Sequence, residues 1–209
     1  MKKEYFELLL DQLELQCSFA EYSFKKFYGM YIKFDLESSK VIYQTNDEIW
    51  FYLRGFTISL ADIAKLLVLS TKQSDIRRVK REVLLQKIDI LPELSVITDK
   101  KLRNALEHID ERIDEYEESG VKLVLNRNIA PNFLREMKGS VKINDQINNF
   151  NKTNYTENLF YEKNMLYYAA FGVDIPLNQA YEELLKLKED IKKIKRQFCE
   201  GKYDSEFNG

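Results

Sequence analysis

The chain has one histidine, one tryptophan, two cysteines, three prolines and seven glycines in 209 residues. A single histidine excludes most zinc enzymes, which hold their metal with several His and Cys ligands. Cys17 and Cys199 stand near opposite ends of the sequence with neither metal-site nor framework spacing. They leave either one bridge between the two ends or two free thiols, and a reducing cytosol favours the thiols. So few prolines and glycines imply long regular elements and few structured loops. No glycine-rich loop could cradle a phosphate, no Ser/His/Asp order is present, and no internal repeat occurs. The N-terminal run MKKEYFELLLDQLELQ starts basic, but its apolar stretch is only Leu8–Leu10, too short for a signal sequence. Nothing else is apolar for long enough to span a bilayer, so the expectation is a cytoplasmic protein with no membrane contact. Thirty-two basic against 34 acidic residues give a net charge of −2, which supplies no global attraction to nucleic acid. RNA contact would need a local basic patch.

What the chain has is apolar periodicity and aromatic bulk, with thirteen Tyr and thirteen Phe to fill a core or an interface. Residues 3–30 predict a long amphipathic helix, with Phe6, Leu9, Leu10, Leu13, Cys17, Ala20, Phe24 and Phe27 on its buried face. Residues 31–46 read equally as short strands or helical turns. A second helix is expected from Asp47 to about Leu69, burying Ile49, Trp50, Leu53, Phe56, Ile63, Leu66 and Leu67, with Gly55 weakening its middle. Trp50-Phe51-Tyr52 reads as core packing rather than a base-stacking platform. Lys72 to Lys87 predicts a shorter helix carrying a basic run. Arg77, Arg78, Lys80 and Arg81 are its candidate RNA-contacting residues, against the plainer reading of a solvated helix face. After Gly120, Val121–Leu125 and Val141–Ile143 read as short strands, 145–158 as an exposed asparagine-rich loop, and 159–161 and 165–171 as extended and aromatic. Leu177 to Phe198 returns to helix with Tyr181, Leu184, Leu185, Leu187, Ile191, Ile194 and Phe198 as its stripe, and the last ten residues read as frayed.

The best-formed helical pattern surrounds the only histidine. In Arg103-Asn104-Ala105-Leu106-Glu107-His108-Ile109-Asp110-Glu111-Arg112, apolar residues keep one side, Thr98 and Asp99 supply start signals, and Gly120 a stop. Arg103 and His108 then stand about 140° apart around the axis and about 7.5 Å apart along it, both off the apolar stripe. A guanidinium and an imidazole so placed can reach one small anionic group. The plainer reading pairs them within the helix, Arg103 with Glu107 and His108 with Glu111.

An Arg, then Asn, Asp or His, then a His four to six residues after the Arg resembles the motif of the HEPN superfamily of helical-bundle proteins. Arg103, Asn104 and His108 match it. The longer string RNALEHIDERID resembles an "RNxxEHxDER" version found in uncharacterised bacterial proteins of similar length. The resemblance covers the motif helix and the two segments before it, reaching toward FTISLADIAKLL.

The resemblance implies metal-independent RNA cleavage without a cofactor, by attack of a 2′-hydroxyl on the adjacent phosphate. His108 would transfer the proton and Arg103 would stabilise the charge on phosphorus, these two being the catalytic candidates. Asn104 and Glu107 would support them by holding an oxygen or orienting a neighbour. It also implies a homodimer with two motif helices at one cleft, and the family setting adds an antitoxin or other partner protein as a candidate. Against RNA contact stand the acids after His108, namely Asp110, Glu111, Asp114, Glu115, Glu117 and Glu118. The rival reading is a non-catalytic helical RNA-binding or protein-interaction domain whose motif residues are structural. The expected fold class is mainly α, a HEPN-like helical bundle with a small β-rich insertion before the C-terminal helix. It is read as one domain over 1–209, with a helical core at about 3–119 and 177–198 and a β/loop appendage at about 121–176.

Overall fold

Eight apolar residues spaced three and four apart from Phe6 to Phe27 fold onto one side of α1 (Lys3–Tyr31), and all eight are buried. The computed structural model of the chain describes residues 3–34, 42, 47–68, 76–87, 91, 93–99, 101, 104, 114, 127–132, 139–143, 146–150, 157–162, 165–170 and 173–207. It describes backbone alone for 76–78, 80, 87, 139–143, 146–150 and 206. The other elements are α2 (Asp47–Leu67), α3 (Ile76–Lys87), β1 (Asn128–Pro131), β2 (Gly139–Ile143) and β3 (Gln146–Phe150). They continue with β4 (Glu157–Glu162), β5 (Met165–Ala170), β6 (Val173–Pro176), α4 (Leu177–Cys199) and α5 (Asp204–Phe207). The fold is mainly helical with a small mixed sheet. No helix among the described residues is long and apolar enough to cross a membrane.

α2 runs unbroken through Gly55. A Cβ built there would lie 3.0 Å from Ser23 Oγ, so the missing side chain lets α1 and α2 approach closely. Phe24 and Phe56 meet beside this point with ring centroids 4.9 Å apart. Of the three neighbouring aromatics at the start of α2, Trp50 is buried and Tyr52 partly so. Phe51 corrects the core-packing expectation, being 71% exposed on the outer side of the helix. α4 packs on α1 and against β5 and β6. Its expected stripe is buried, except that Tyr181 is only partly buried and Leu185 faces outward. Gly201 closes it in the left-handed region at φ 74°, with Gly201 N–H donating to the Phe198 carbonyl and Lys202 N–H to that of Gln197. The chain then turns back rather than fraying. α5 brings Phe207 to 5.5 Å from Phe6 and 5.9 Å from Phe198.

Four strands form one sheet in the order β1-β4-β5-β6, parallel between β1 and β4 and antiparallel elsewhere. β2 and β3 pair separately as an antiparallel hairpin. The asparagine-rich stretch read as an exposed loop is corrected here: it contains β3 and the start of β4, where Asn158 is 1% exposed. Asn158 can be buried because its Oδ1 accepts the Asn128 N–H at 3.1 Å, replacing the water it loses. Val173–Pro176 adds a further strand, β6, before α4. Pro131 ends β1, where an edge strand tolerates a residue without an N–H. Residues 121–125, the other strand expectation, lie outside the described residues.

The register explains how sheet and helices meet. Ile129, Leu159, Tyr168 and Ile175 are direct neighbours across all four strands. Alternation turns the four to one face, and all are buried in the same apolar cluster as α1, α2 and α4. One residue on, Ala130 and Phe160 turn to the other face and join Ala169 in a separate small cluster. An isolated antiparallel bridge from Ile42 to Ile129 ties the segment before α2 to β1.

Candidate functional site

Of the motif residues, Asn104 lies in helical conformation with its side chain exposed. Arg103, Glu107 and His108 lie outside the described residues. Upstream of them, Asp99 Oδ1 accepts the Lys101 N–H at 2.8 Å, and Lys101 is helical. Just before it, residues 93–98 form a turn whose Leu94 and Ile97 are buried. Glu183 of α4 receives this turn. Its carboxylate accepts the Val96 N–H at 2.9 Å, the Ile97 N–H at 3.0 Å and the Ser95 hydroxyl at 3.1 Å. Gln179 donates to the same carboxylate at 3.0 Å. An anionic side chain thus meets converging amide donors, as at a helix N-terminus, and anchors the run-in to the motif on α4.

Arg77, Arg78 and Lys80 belong to α3, where the backbone alone is described. Arg81 is partly buried, and its Nη2 donates to the Lys65 carbonyl at 3.4 Å in the last turn of α2. A guanidinium there complements the negative end of that helix. The strip read as a line of cations is therefore joined to α2 at its end.

A buried polar cluster at the start of β4 was not foreseen. Glu157, at the start of β4, has its side chain 10% exposed. Its Oε1 accepts the Tyr168 hydroxyl at 2.8 Å and lies 3.6 Å from Arg54 Nε. Its Oε2 lies 4.0 Å from Arg127 Nε, and Arg127 Nη1 donates to Asp47 at 2.9 Å. Arg127 adopts φ 57°, a left-handed backbone that a side chain enters at a cost of about 1 kcal/mol or more. That turn lets its N–H donate to the Glu157 carbonyl at 2.6 Å. Burial, then the Glu157 charge, pushes the Tyr168 phenol well above its ordinary range, so it stays a proton donor. Two guanidiniums, two carboxylates and a neutral phenol balance one another. This is a clamp between α2 and the sheet. Residues 47, 54, 127, 157 and 168 share no local pattern that could have announced it.

A shallow groove of about 290 Å³ lies between α1 and α4, lined by Phe24, Lys25, Tyr28, Asn178, Tyr181 and Glu182. Phe24 and Tyr181 stack across it with centroids 4.0 Å apart. Asn178 Oδ1 is committed to the Leu166 N–H at 2.9 Å, which ties the groove floor to β5. Comparison of the chain with protein-family models, with curated proteins and with solved structures finds no match in any of the three.

Proposed function

We propose that the protein is a metal-independent endoribonuclease of the HEPN type. One observation carries the reading: Arg103, Asn104 and His108 stand at the motif's spacing, on a helical pattern that keeps them off the apolar stripe. The exposure of Asn104 in helical conformation supports it. In the reaction the ribose 2′-hydroxyl gives its proton to the imidazole of His108 as its oxygen bonds to phosphorus. The bond from phosphorus to the 5′-oxygen breaks, and that oxygen takes up a proton. The products are a 2′,3′-cyclic phosphate and a free 5′-hydroxyl. Imidazole suits the transfer because it titrates nearest neutrality. Arg103 suits the phosphate because a guanidinium stays charged and binds two oxygens at once. Asn104 and Glu107 position these groups, and Arg77, Arg78 and Lys80 supply phosphate contacts. A homodimer would bring two such sets to one cleft, and an antitoxin or other partner protein could close it.

A second reading is favoured by the acids that follow His108, of which Asp114 is helical and exposed. Their field repels a nucleic-acid backbone and suits a non-catalytic interaction domain. Incubating the protein with mixed cellular RNA in EDTA separates the two. Wild type should cut and leave cyclic-phosphate ends, while His108→Ala and Arg103→Ala, each folded by circular dichroism, should lose about 100-fold or more. Equal cutting by wild type and variants would sink the nuclease reading, and no cutting of any RNA would leave the interaction domain.

A further inference from the structure

The buried stripe of α1 is not its only apolar stripe. Tyr5, Leu8, Leu15, Phe19 and Tyr22 are all exposed, by 43% to 62%, along the same helix. With Gln12 they fall at intervals of three and four, which is the a/d repeat of a coiled-coil seam. At its upper end the seam continues onto α2. The Tyr22 ring meets Tyr52 edge-on at 6.2 Å, and Tyr52 meets the exposed Phe51 at 5.3 Å. Nothing in the chain's described residues covers this face. With Phe51 it presents six large, exposed apolar side chains, Tyr5, Leu8, Leu15, Phe19, Tyr22 and Phe51.

We propose that this seam is a homodimer interface, occupied by the α1 helix of a second copy running antiparallel about a two-fold axis. The order of residues along the helix selects that occupant. Antiparallel pairing sets Tyr5 opposite Tyr22, Leu8 opposite Phe19 and Gln12 opposite Leu15, and the axis repeats each layer. Four of the six seam residues thus pair apolar on apolar, and the one polar residue, Gln12, is placed against Leu15 at the centre, beside the axis. Charge agrees. The exposed flank carries Glu4 and Asp11 toward the N-terminal end and Lys25 toward the other, Asp11 also pairing with Lys195 and Lys25 with Glu21, while Lys26 is the next seam position. Antiparallel copies bring Glu4 beside Lys25, whereas parallel copies stack Lys26 on Lys26 at an interior seam position. A register that is self-complementary in both shape and charge fits a second copy better than an unrelated helix. The seam uses no motif residue, so this pairing stands or falls separately from the nuclease reading.

The test is sedimentation velocity on the full chain over a concentration series, with Leu8→Lys and Phe19→Glu as single variants. Both positions are exposed, so each variant should keep the wild-type circular dichroism. Wild type should dimerise. Each variant alone should associate roughly a hundredfold or more weakly, because a lone charge enters an apolar layer twice. An equimolar mixture of the two should dimerise again, since the introduced lysine of one copy then faces the introduced glutamate of the other while the remaining layer stays Phe on Leu. Tyr5→Glu with Tyr22→Lys repeats the design at the outer layer. A wild type that stays monomeric overturns the proposal. So does a dimer that the single variants leave intact, or a mixture that fails to re-form in both layer pairs.

Discussion

Cys17 shows what burial does to a single ionisable group. It sits on the core face of α1 with no exposed surface, while Cys199 is exposed, and both are free thiols. Burial pushes the Cys17 thiol from an ordinary 9.0 up to about 12. Tyr31 is driven the same way from 10.0 to about 12, and burial also holds the Tyr168 phenol well above its ordinary range. In each case the folded chain keeps a proton that the unfolded chain releases first. Stability from these groups is therefore complete below pH 9 and falls as the pH rises from 9 toward 12. The urea midpoint should decline over that window. Cys17 contributes up to about 1.4 kcal/mol per pH unit. Cys17→Ala should make the decline shallower even though it lowers stability at neutral pH by opening a small cavity. An unchanged slope in the variant would mean that Cys17 is not a source of the alkaline loss.

Between elements, the consequential contacts are carboxylates that accept from another segment. Glu183 belongs to α4 by sequence, and its place in the first turns reads as a charge complementing the helix dipole. In the structure it is buried, and it serves the amides of residues 96 and 97 instead. Glu183→Ala leaves those donors without a partner in a dry site and should cost about 2–3 kcal/mol in urea unfolding. Glu183→Gln retains an acceptor and should cost about half as much. A loss near 0.5 kcal/mol, ordinary for a surface position, would show that the turn holds without this anchor. The same contact marks the limit of what the sequence could say. Apolar spacing located α1, α2 and α4 because a one-sided helix writes its buried face into every third or fourth residue. Phe51 and Leu185 were misplaced because a stripe read from spacing has no sharp edge. Asn158 looked solvated because a side-chain amide can replace water with a backbone partner, and no local pattern announces the partner. The Arg-Asn-x3-His string was legible because it lies within six consecutive residues. The Glu157 clamp joins residues more than a hundred positions apart, and only the folded chain brings them together.

At the scale of the whole molecule, the row Ile129-Leu159-Tyr168-Ile175 decides whether the sheet is an accessory or part of the fold's stability. All four residues lie in the cluster that also holds Leu13, Leu53 and Leu187 from three helices. The clamp at Glu157 and the bridge from Ile42 add polar ties between the sheet and the helical layer. A core shared in this way should unfold as one unit. Trp50, the only tryptophan, is buried in α2, so its fluorescence reports the helical layer from a position remote in sequence from every strand. Leu159→Ala removes a fully buried side chain from β4 and should cost about 2–4 kcal/mol. Its effect should appear equally in Trp50 fluorescence and in far-UV circular dichroism, with both urea midpoints moving down together. If the sheet were an independent appendage, Leu159→Ala would leave the Trp50 midpoint in place and split the two signals. Coincident movement would mean that the turn at residues 93–98, anchored on α4 through Glu183, belongs to a core whose stability the strands share.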